Sequence, residues 1–302
     1  MQFTLRQLTY LVAVADHGSV TAAAQALYTS QPGISTAITQ LEALFGLQIF
    51  IRHPARGVSL TPAGQCFVAA ARNMLAHADD LLLRGGELNQ SLRGTLDLGC
   101  FATLGPILLP KWLASFQDQY PDIEVRLHEG DIARLQDALE CGRIEVALLY
   151  DLDLSPALIK FPLKSIVPYA LMSPRHPLAA KPSVSLAELA DEPMVLLDLP
   201  YSRAYFLSLF RQHDLEPVIR HRTVNFELVR GMVAAGNGYA LLNMRPHINV
   251  TYGGDPLVCL PIADRVPPLS IVLAWSRALR PTRRADAFIG MCRMFVQEGK
   301  VI

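Results

Sequence analysis

Residues 18–64 read GSVTAAAQALYTSQPGISTAITQLEALFGLQIFIRHPARGVSLTPAG. Ser19 is a good N-cap for a helix over Val20–Leu27, and the Ala22-Ala23-Ala24 run lets neighbouring helices approach closely. Tyr28 and Thr29 make a turn. Thr29 or Ser30 caps the next helix, and Pro32 is tolerated in its first turn, where no hydrogen-bonded N–H is lost. Gly46 supplies a C-cap, Leu47–Ile51 a strand, Arg52-His53-Pro54-Ala55-Arg56-Gly57 a wing tip, and Val58-Ser59-Leu60 the returning strand. Such a stretch predicts a winged helix-turn-helix, a module that lays its second helix in the major groove of DNA.

Upstream, Leu5, Leu8, Leu11, Val12 and Ala15 recur at helical spacing and predict a first amphipathic helix over residues 4–15. On the third helix Ile34, Ile38, Leu41 and Phe45 share the inward face. The opposite face carries Gln31, Ser35, Thr36, Thr39 and Gln40, short polar or amide groups suited to base edges and phosphates. The candidate DNA contacts are therefore Ser30, Gln31, Pro32, Ser35, Thr36 and Thr39, with Arg52 and Arg56 from the wing reaching phosphate or the minor groove. Residues 1–60 hold three arginines (Arg6, Arg52, Arg56) against Asp16 and Glu42, a balance of +1. One such module attracts phosphate feebly, so tight binding requires several modules pooled by oligomerisation.

The whole chain, 302 residues with 51% hydrophobic and 18% charged residues, is globular and long enough for two or three compact units. Its net charge is zero and its pI 7.1, unlike a generic polyanion binder. It contains no apolar run long enough to span a membrane. The start, MQFTLRQLTYLVAVADHG, lacks the basic segment and cleavage site of a signal peptide, and a cytoplasmic location is expected. Five scattered cysteines without a CxxC pair argue against a disulfide framework or zinc site, and the eight histidines show no metal-ligand spacing. No cofactor is expected. GxSxG, HExxH and Walker sequences are absent; the best nucleophile–base pair is Cys100 with His128.

Thr61-Pro62-Ala63-Gly64 starts a long helix, and Phe67, Ala71, Met74, Leu75, Ala78, Leu81 and Leu82 form a stripe too long for a small winged module to cover alone. A second copy packed antiparallel, or the chain's own downstream domain, would bury the rest. Gly85-Gly86 ends the helix and residues 87–92 form a hinge. From Gly94 short apolar strands alternate with helices, the signature of a parallel α/β unit. The chain builds one lobe (about 93–163), a second (about 164–267), and returns to the first (268–302), leaving a hinged cleft. Candidate cleft residues at converging loop ends are Ala102, Thr103, Tyr150, Asp151, Tyr201, Ser202, Arg203, Asn225, Phe226 and Asn243. Singly each is better read as a cap or turn residue; as a set they favour a pocket for a small organic effector, and Arg203 suits a carboxylate as well as it suits an exposed surface position. The run Val233–Ala240 (VAAGNGYA) has its helix before its glycines, the reverse of a phosphate cradle, and is a structural turn.

The order Ala22-Ala23-Ala24, Ser30-Gln31-Pro32, Ile38, Leu41-Glu42, Phe50, Arg52, Leu60-Thr61-Pro62-Ala63-Gly64 closely resembles the LysR-type transcriptional regulators, and the likeness extends over the whole chain. Thr36 departs from the arginine many members carry near that position, so base preference does not transfer. The resemblance implies a DNA-binding module at 1–60, a dimerising linker helix and hinge at 61–92, and at 93–302 a two-lobed sensor resembling periplasmic binding proteins. It further implies a bacterial homotetramer on a promoter dyad of double-stranded DNA, switched by a small-molecule effector, with RNA polymerase as a further partner. The rival readings are a cytoplasmic solute-binding protein or an enzyme of similar two-lobed fold.

Overall fold

A computed structural model describes residues 2–53, 57–85 and 92–301. The wing residues Pro54, Ala55 and Arg56, the side chain of Leu82, Gly86 and residues 87–91 of the expected hinge lie outside the described residues.

The amino-terminal module packs α1 (Leu5–His17), α2 (Val20–Ala26) and α3 (Gln31–Phe45) beside a hairpin of β1 (Phe50–His53) and β2 (Gly57–Leu60). Each helix start has the cap its sequence encodes. The Thr4 hydroxyl accepts from the Gln7 amide in a capping box, and the Ser19 and Ser30 hydroxyls accept from the Ala22 and Gly33 amides. Gly18 and Gly46 close α1 and α3 with φ of 63° each, a left-handed turn in which glycine carries no Cβ penalty. Leu8, Leu11, Val14, Ile34, Ile38 and Leu41 are buried in the shared core. Phe45, expected inside, is 40% exposed: it ends α3, where its ring lies between Phe3 (5.7 Å) and Phe67 (4.7 Å) at the edge of the core. The strand expected at Leu47–Ile51 begins three residues later, so Arg52 and His53 belong to β1 rather than to the wing tip.

The long helix α4 (Pro62–Gly85) begins where Thr61 accepts the Gly64 amide and donates to the Gln48 carbonyl (2.8 and 2.6 Å). A Cβ on Gly64 would lie 2.1 Å from the Ile49 carbonyl oxygen, which explains the glycine. The first half of the apolar stripe is consumed by the winged module, where Phe67, Val68, Ala71 and Leu75 join its core; Met74 and Leu81 stay exposed.

The remaining chain forms the two lobes. The first contains β3 (Gly94–Phe101), α5 (Gly105–Gln119), β4 (Ile123–Gly130), α6 (Ile132–Glu140), β5 (Val146–Tyr150) and β6 (Leu158–Ile166). The second holds β7 (Tyr169–Met172), α7 (Leu186–Ala190), β8 (Pro193–Leu197), α8 (Ser202–Arg211), β9 (Val218–Thr223), α9 (Phe226–Ala234), β10 (Ala240–Leu242) and β11 (Val258–Pro261). The chain then returns to the first lobe as β12 (Leu269–Ser276) and α10 (Arg283–Gln297). The first lobe's sheet has the order β4-β3-β5-β12-β6. β3 is parallel to β4 and β5, whereas β12 runs antiparallel to both of its neighbours. The sheet is thus mixed rather than parallel: β12 arrives directly from the other lobe, with no crossover helix to reverse it. The five residues of β5 are all buried, as a strand covered on both faces must be. The second lobe pairs β10 and β11 antiparallel on either side of β7, and β8 parallel to β9. In the turn after α9, Gly238 (φ 121°) brings its backbone so close that a Cβ would sit 1.9 Å from the Pro193 carbonyl oxygen, the structural role read from VAAGNGYA. One apolar cluster runs through both lobes, joining Phe101, Leu148 and Ile271 to Leu171, Val195, Val229 and Leu242. Among the described residues no helix is long and apolar enough to cross a membrane.

Candidate DNA-reading face and effector cleft

On the solvent face of α3, Gln31, Pro32, Thr36 and Thr39 are exposed and Ser35 is half-buried. Ser30 spends its hydroxyl on the cap, and Thr39 donates back to the Ser35 carbonyl at 3.0 Å. Gln40, on the same helix, is held by the Gln7 amide (2.9 Å), which fixes α3 against α1. Arg52 is exposed on β1, paired in register with Val58; Arg56 lies outside the described residues. The wing is pinned to the helices by the Val58 amide donating to Gly18 (2.8 Å). Both carboxylates of the module are engaged. Glu42 Oε1 accepts the Ile49 and Phe50 amides (2.8 and 3.1 Å), and Asp16 is ion-paired with Arg72 of α4. The reading face is thereby left without a free acid to repel phosphate. Tyr28, read with Thr29 as the turn, stands there 98% exposed with φ of 49°. The Thr29 hydroxyl, and then Arg6, hold the nearby Tyr10 phenol below its ordinary pKa.

Beyond the module, α4 touches the first lobe. Arg72 donates to the Cys141 carbonyl (2.6 Å) and Asn73 to the Arg280 carbonyl (2.9 Å). Between them lies a charged cavity of about 750 Å³, lined by Asp16, Arg72, Asp97, Arg126 and Glu145 among others. Burial pushes the Glu145 carboxyl up, opposed by Thr282 and Arg284.

Where the lobes meet, Thr103 and Tyr150 are both buried with their hydroxyls 3.3 Å apart, and the Phe101 ring meets Tyr150 edge-on at 5.2 Å. Ala102 is exposed beside them. Ser202 is buried at the start of α8; Tyr201 just before it has φ 65° and ψ −45°, an uncommon conformation for a side-chain-bearing residue, of the kind that clusters at functional sites. Tyr201 and Phe226 pack on the cluster shared by the lobes. So does Tyr205, one turn after Tyr201, which sequence reasoning missed although the i,i+4 spacing was visible. Its hydroxyl is buried with no hydrogen-bond partner among the described residues, and burial raises its pKa to about 12. Burial likewise raises Tyr150, with the Tyr205 phenol adding to the effect, so both remain neutral donors. Three charged or capping candidates are occupied. Asp151 is paired with Lys160 (2.8 Å), Asn225 caps α9 through the Leu228 amide (2.9 Å), and Arg203 is bound to Asp198 (3.0 Å). Arg203 therefore offers no free guanidinium to a carboxylate: Asp198, five residues before it, already holds it. Asn243 lines a different cavity, behind the cleft.

The pairing of Cys100 with His128 fails. In the β3–β4 register His128 lies opposite Gly99 and bonds Asp97 (2.7 Å), while Cys100 points to the other face of the sheet and is buried, its thiol pushed up by that burial. Among the described residues no group of His, Cys, Asp and Glu could hold a metal ion.

A winged helix-turn-helix carried on a long helix and followed by a hinged α/β pair of lobes is the plan of a ligand-responsive DNA-binding regulator. Residues 5–65 match the profile described as "Bacterial regulatory helix-turn-helix protein, lysR family", and residues 89–297 match the "LysR substrate binding domain". The HTH-type transcriptional regulator YnfL of Escherichia coli is 33% identical over 252 residues, covering 80% of this chain and 82% of that one. CysB of Haemophilus influenzae is 30% identical over 246 residues, covering 80% and 76%. The crystal structure of HinK, a LysR family transcriptional regulator of Pseudomonas aeruginosa, is 38% identical with a TM-score of 0.65 over 97% of this chain and 98% of that one. The chain belongs to the LysR-type transcriptional regulators. It is a DNA-binding transcriptional regulator with an effector-binding domain.

Proposed function

We propose that this regulator reads a promoter dyad through Gln31, Pro32, Ser35, Thr36 and Thr39 of paired α3 helices, Ser30 fixing the helix start and Arg52 and Arg56 adding wing contacts. The observation that carries this is the exposed, uncharged face of α3 on a module whose two carboxylates are both occupied elsewhere. The module at 1–60, the linker at 61–92 and the sensor at 93–302 act as separate working parts. The exposed Met74 and Leu81 of α4 are the surface for a second copy, and two such dimers form a tetramer that supplies the modules a weakly charged reader needs. RNA polymerase is the further partner, and the cytoplasm the place of action.

The effector is a small organic molecule held between the lobes by Thr103, Tyr150, Ser202 and Tyr205, against Ala102, Tyr201 and Phe226; the orphan Tyr205 hydroxyl supports this. A carboxylate effector would have to displace Asp198 from Arg203. The sensor binds and does not turn over its ligand. Effector binding favours one lobe closure, which resets the spacing of the reading modules. The test is retardation of DNA from the gene's own upstream region by wild type and by Ser35→Ala, Thr36→Ala and Arg52→Ala. Weakened retardation by the variants is the result expected; equal retardation by all four, or none by wild type, refutes the reading.

A further inference from the structure

Both crossings between the lobes, together with the chain leaving β10, wall a second cavity of about 710 Å³. Residues 164–169 line it from the first crossing, 243–245 from the exit of β10, and 259–268 in large part from the second crossing. Of the cleft candidates only Asn243 reaches it, and the Asn243 amide oxygen is buried with no hydrogen-bond partner among the described residues. The wall is held in place by the Tyr169 hydroxyl, which donates to the Met244 carbonyl at 3.2 Å.

The charge of this cavity is positive on balance, with three cations against one acid. Lys164, Arg245 and Arg265 line it, and none of the three forms an ion pair among the described residues; Arg245 meets only the Asn249 amide oxygen, at 3.4 Å. The one acid in the wall, Asp264, is turned to the Leu186 amide (2.6 Å) at the start of α7. Some cations of the sensor do find acids, as Arg203 and Arg222 share Asp198, Lys160 takes Asp151, and Arg230 takes Glu227, while others such as Arg211 and Arg220 form no ion pair among the described residues. Three like charges around one concavity raise the local potential for an anion. Ile166, Val167, Leu260 and Pro268 give the lining an apolar part, beside Ser165, Tyr169 and Cys259.

We propose that this hinge cavity is a second ligand site, for a small organic anion. Its acidic group meets Lys164, Arg245 and Arg265, a hydrogen-bond donor on it satisfies Asn243, and its apolar body lies on Ile166 and Leu260. Such a ligand touches both crossing segments at once. It therefore favours the lobe angle at which the three cations converge and modulates the response to an effector in the cleft. The site is separate from the cleft, sharing only Asn243 of the cleft candidates.

Fluorine NMR of the full chain distinguishes the two sites, with 4-fluoro-3-hydroxybenzoate, whose hydroxyl is the donor for Asn243, and its neutral amide as probes. The acid should bind about tenfold more tightly than the amide, a difference of about 1.4 kcal/mol. The double variant Arg245→Gln/Arg265→Gln should lose that preference, while Thr103→Val/Tyr205→Phe in the cleft should retain it. Equal binding of acid and amide, no saturable binding of the acid, or an unchanged preference in the double variant overturns the proposal. Loss of binding in the cleft variant alone would place the anion between the lobes: the hinge site then fails and the cleft reading stands.

Discussion

Glu42→Ala isolates one tertiary anchor of the wing. A single carboxylate oxygen accepts the Ile49 and Phe50 amides at 2.8 and 3.1 Å, and both residues are buried (0% and 5% exposed), so water cannot replace it. Hydrogen bonds to a charged group contribute about 1.5–3 kcal/mol each; because the two share one oxygen, the lower end applies and the loss is about 3 kcal/mol. Glu42→Gln keeps a neutral acceptor at the same place and should lose about 1–2 kcal/mol. For a module of this size 1 kcal/mol corresponds to a Tm shift of about 4–8 °C, which gives a fall of about 12–24 °C for alanine and about 4–16 °C for glutamine. Calorimetry of the full chain, following the module's own transition, together with amide exchange at Ile49 and Phe50, measures both. A fall of under about 4 °C for alanine, or unchanged exchange at Ile49, would refute the assignment of Glu42 as the clamp between α3 and the wing.

Gly64→Ala drives a methyl group against the Ile49 carbonyl oxygen, a backbone atom that cannot rotate away, so the start of α4 must shift at a cost of about 1–3 kcal/mol or more; a module transition equal to wild type contradicts this. Alkylation mapped by mass spectrometry at about pH 8 should modify the exposed Cys66 first, whereas Cys100 and Cys292, whose thiols burial holds protonated, should react only on unfolding. Rapid labelling of Cys100 in the folded chain would show that β3 opens. Glu188 is held down to about 2 by Lys181 and then by Ser185, so its contribution to the start of α7 is full above the unfolded carboxyl value of about 4.5 and fades as pH falls from there through about 2. Amide exchange at Ser185 reports it, and Lys181→Ala should move the loss to higher pH; an identical profile excludes the lysine as the cause.

The reading module was legible because its determinants are local. Ser19, Ser30, Gly18 and Gly46 each act within a few residues, and the apolar spacing of α1 and α3 needs no distant partner. What the sequence concealed depends on contacts between distant segments. Nothing near Gln40 points to Gln7, and nothing near Asp16 points to Arg72. Arg203 looked available for a ligand because Asp198 precedes the helix that carries it and only the turn at Tyr201 brings them together. Of the cleft set, Tyr150, Tyr201 and Phe226 gather on the cluster the lobes share and Thr103 meets Tyr150 there, while Asn225 and Asp151 are spent locally. The direction of β12 was equally hidden, since a strand's apolar pattern is the same read either way.

That strand has a consequence for synthesis. β12 lies between β5 and β6, yet the ribosome makes it after the whole of the second lobe. Until residue 276 has emerged, β5 and β6 of the nascent chain face each other across a missing strand, and each has an unpaired edge of the kind that invites wrong partners. The second lobe, by contrast, has all five of its strands by Pro261 and can fold first. The sensor is thus assembled from the inside out, and a chain truncated before β12 should be an aggregation hazard rather than a shorter regulator.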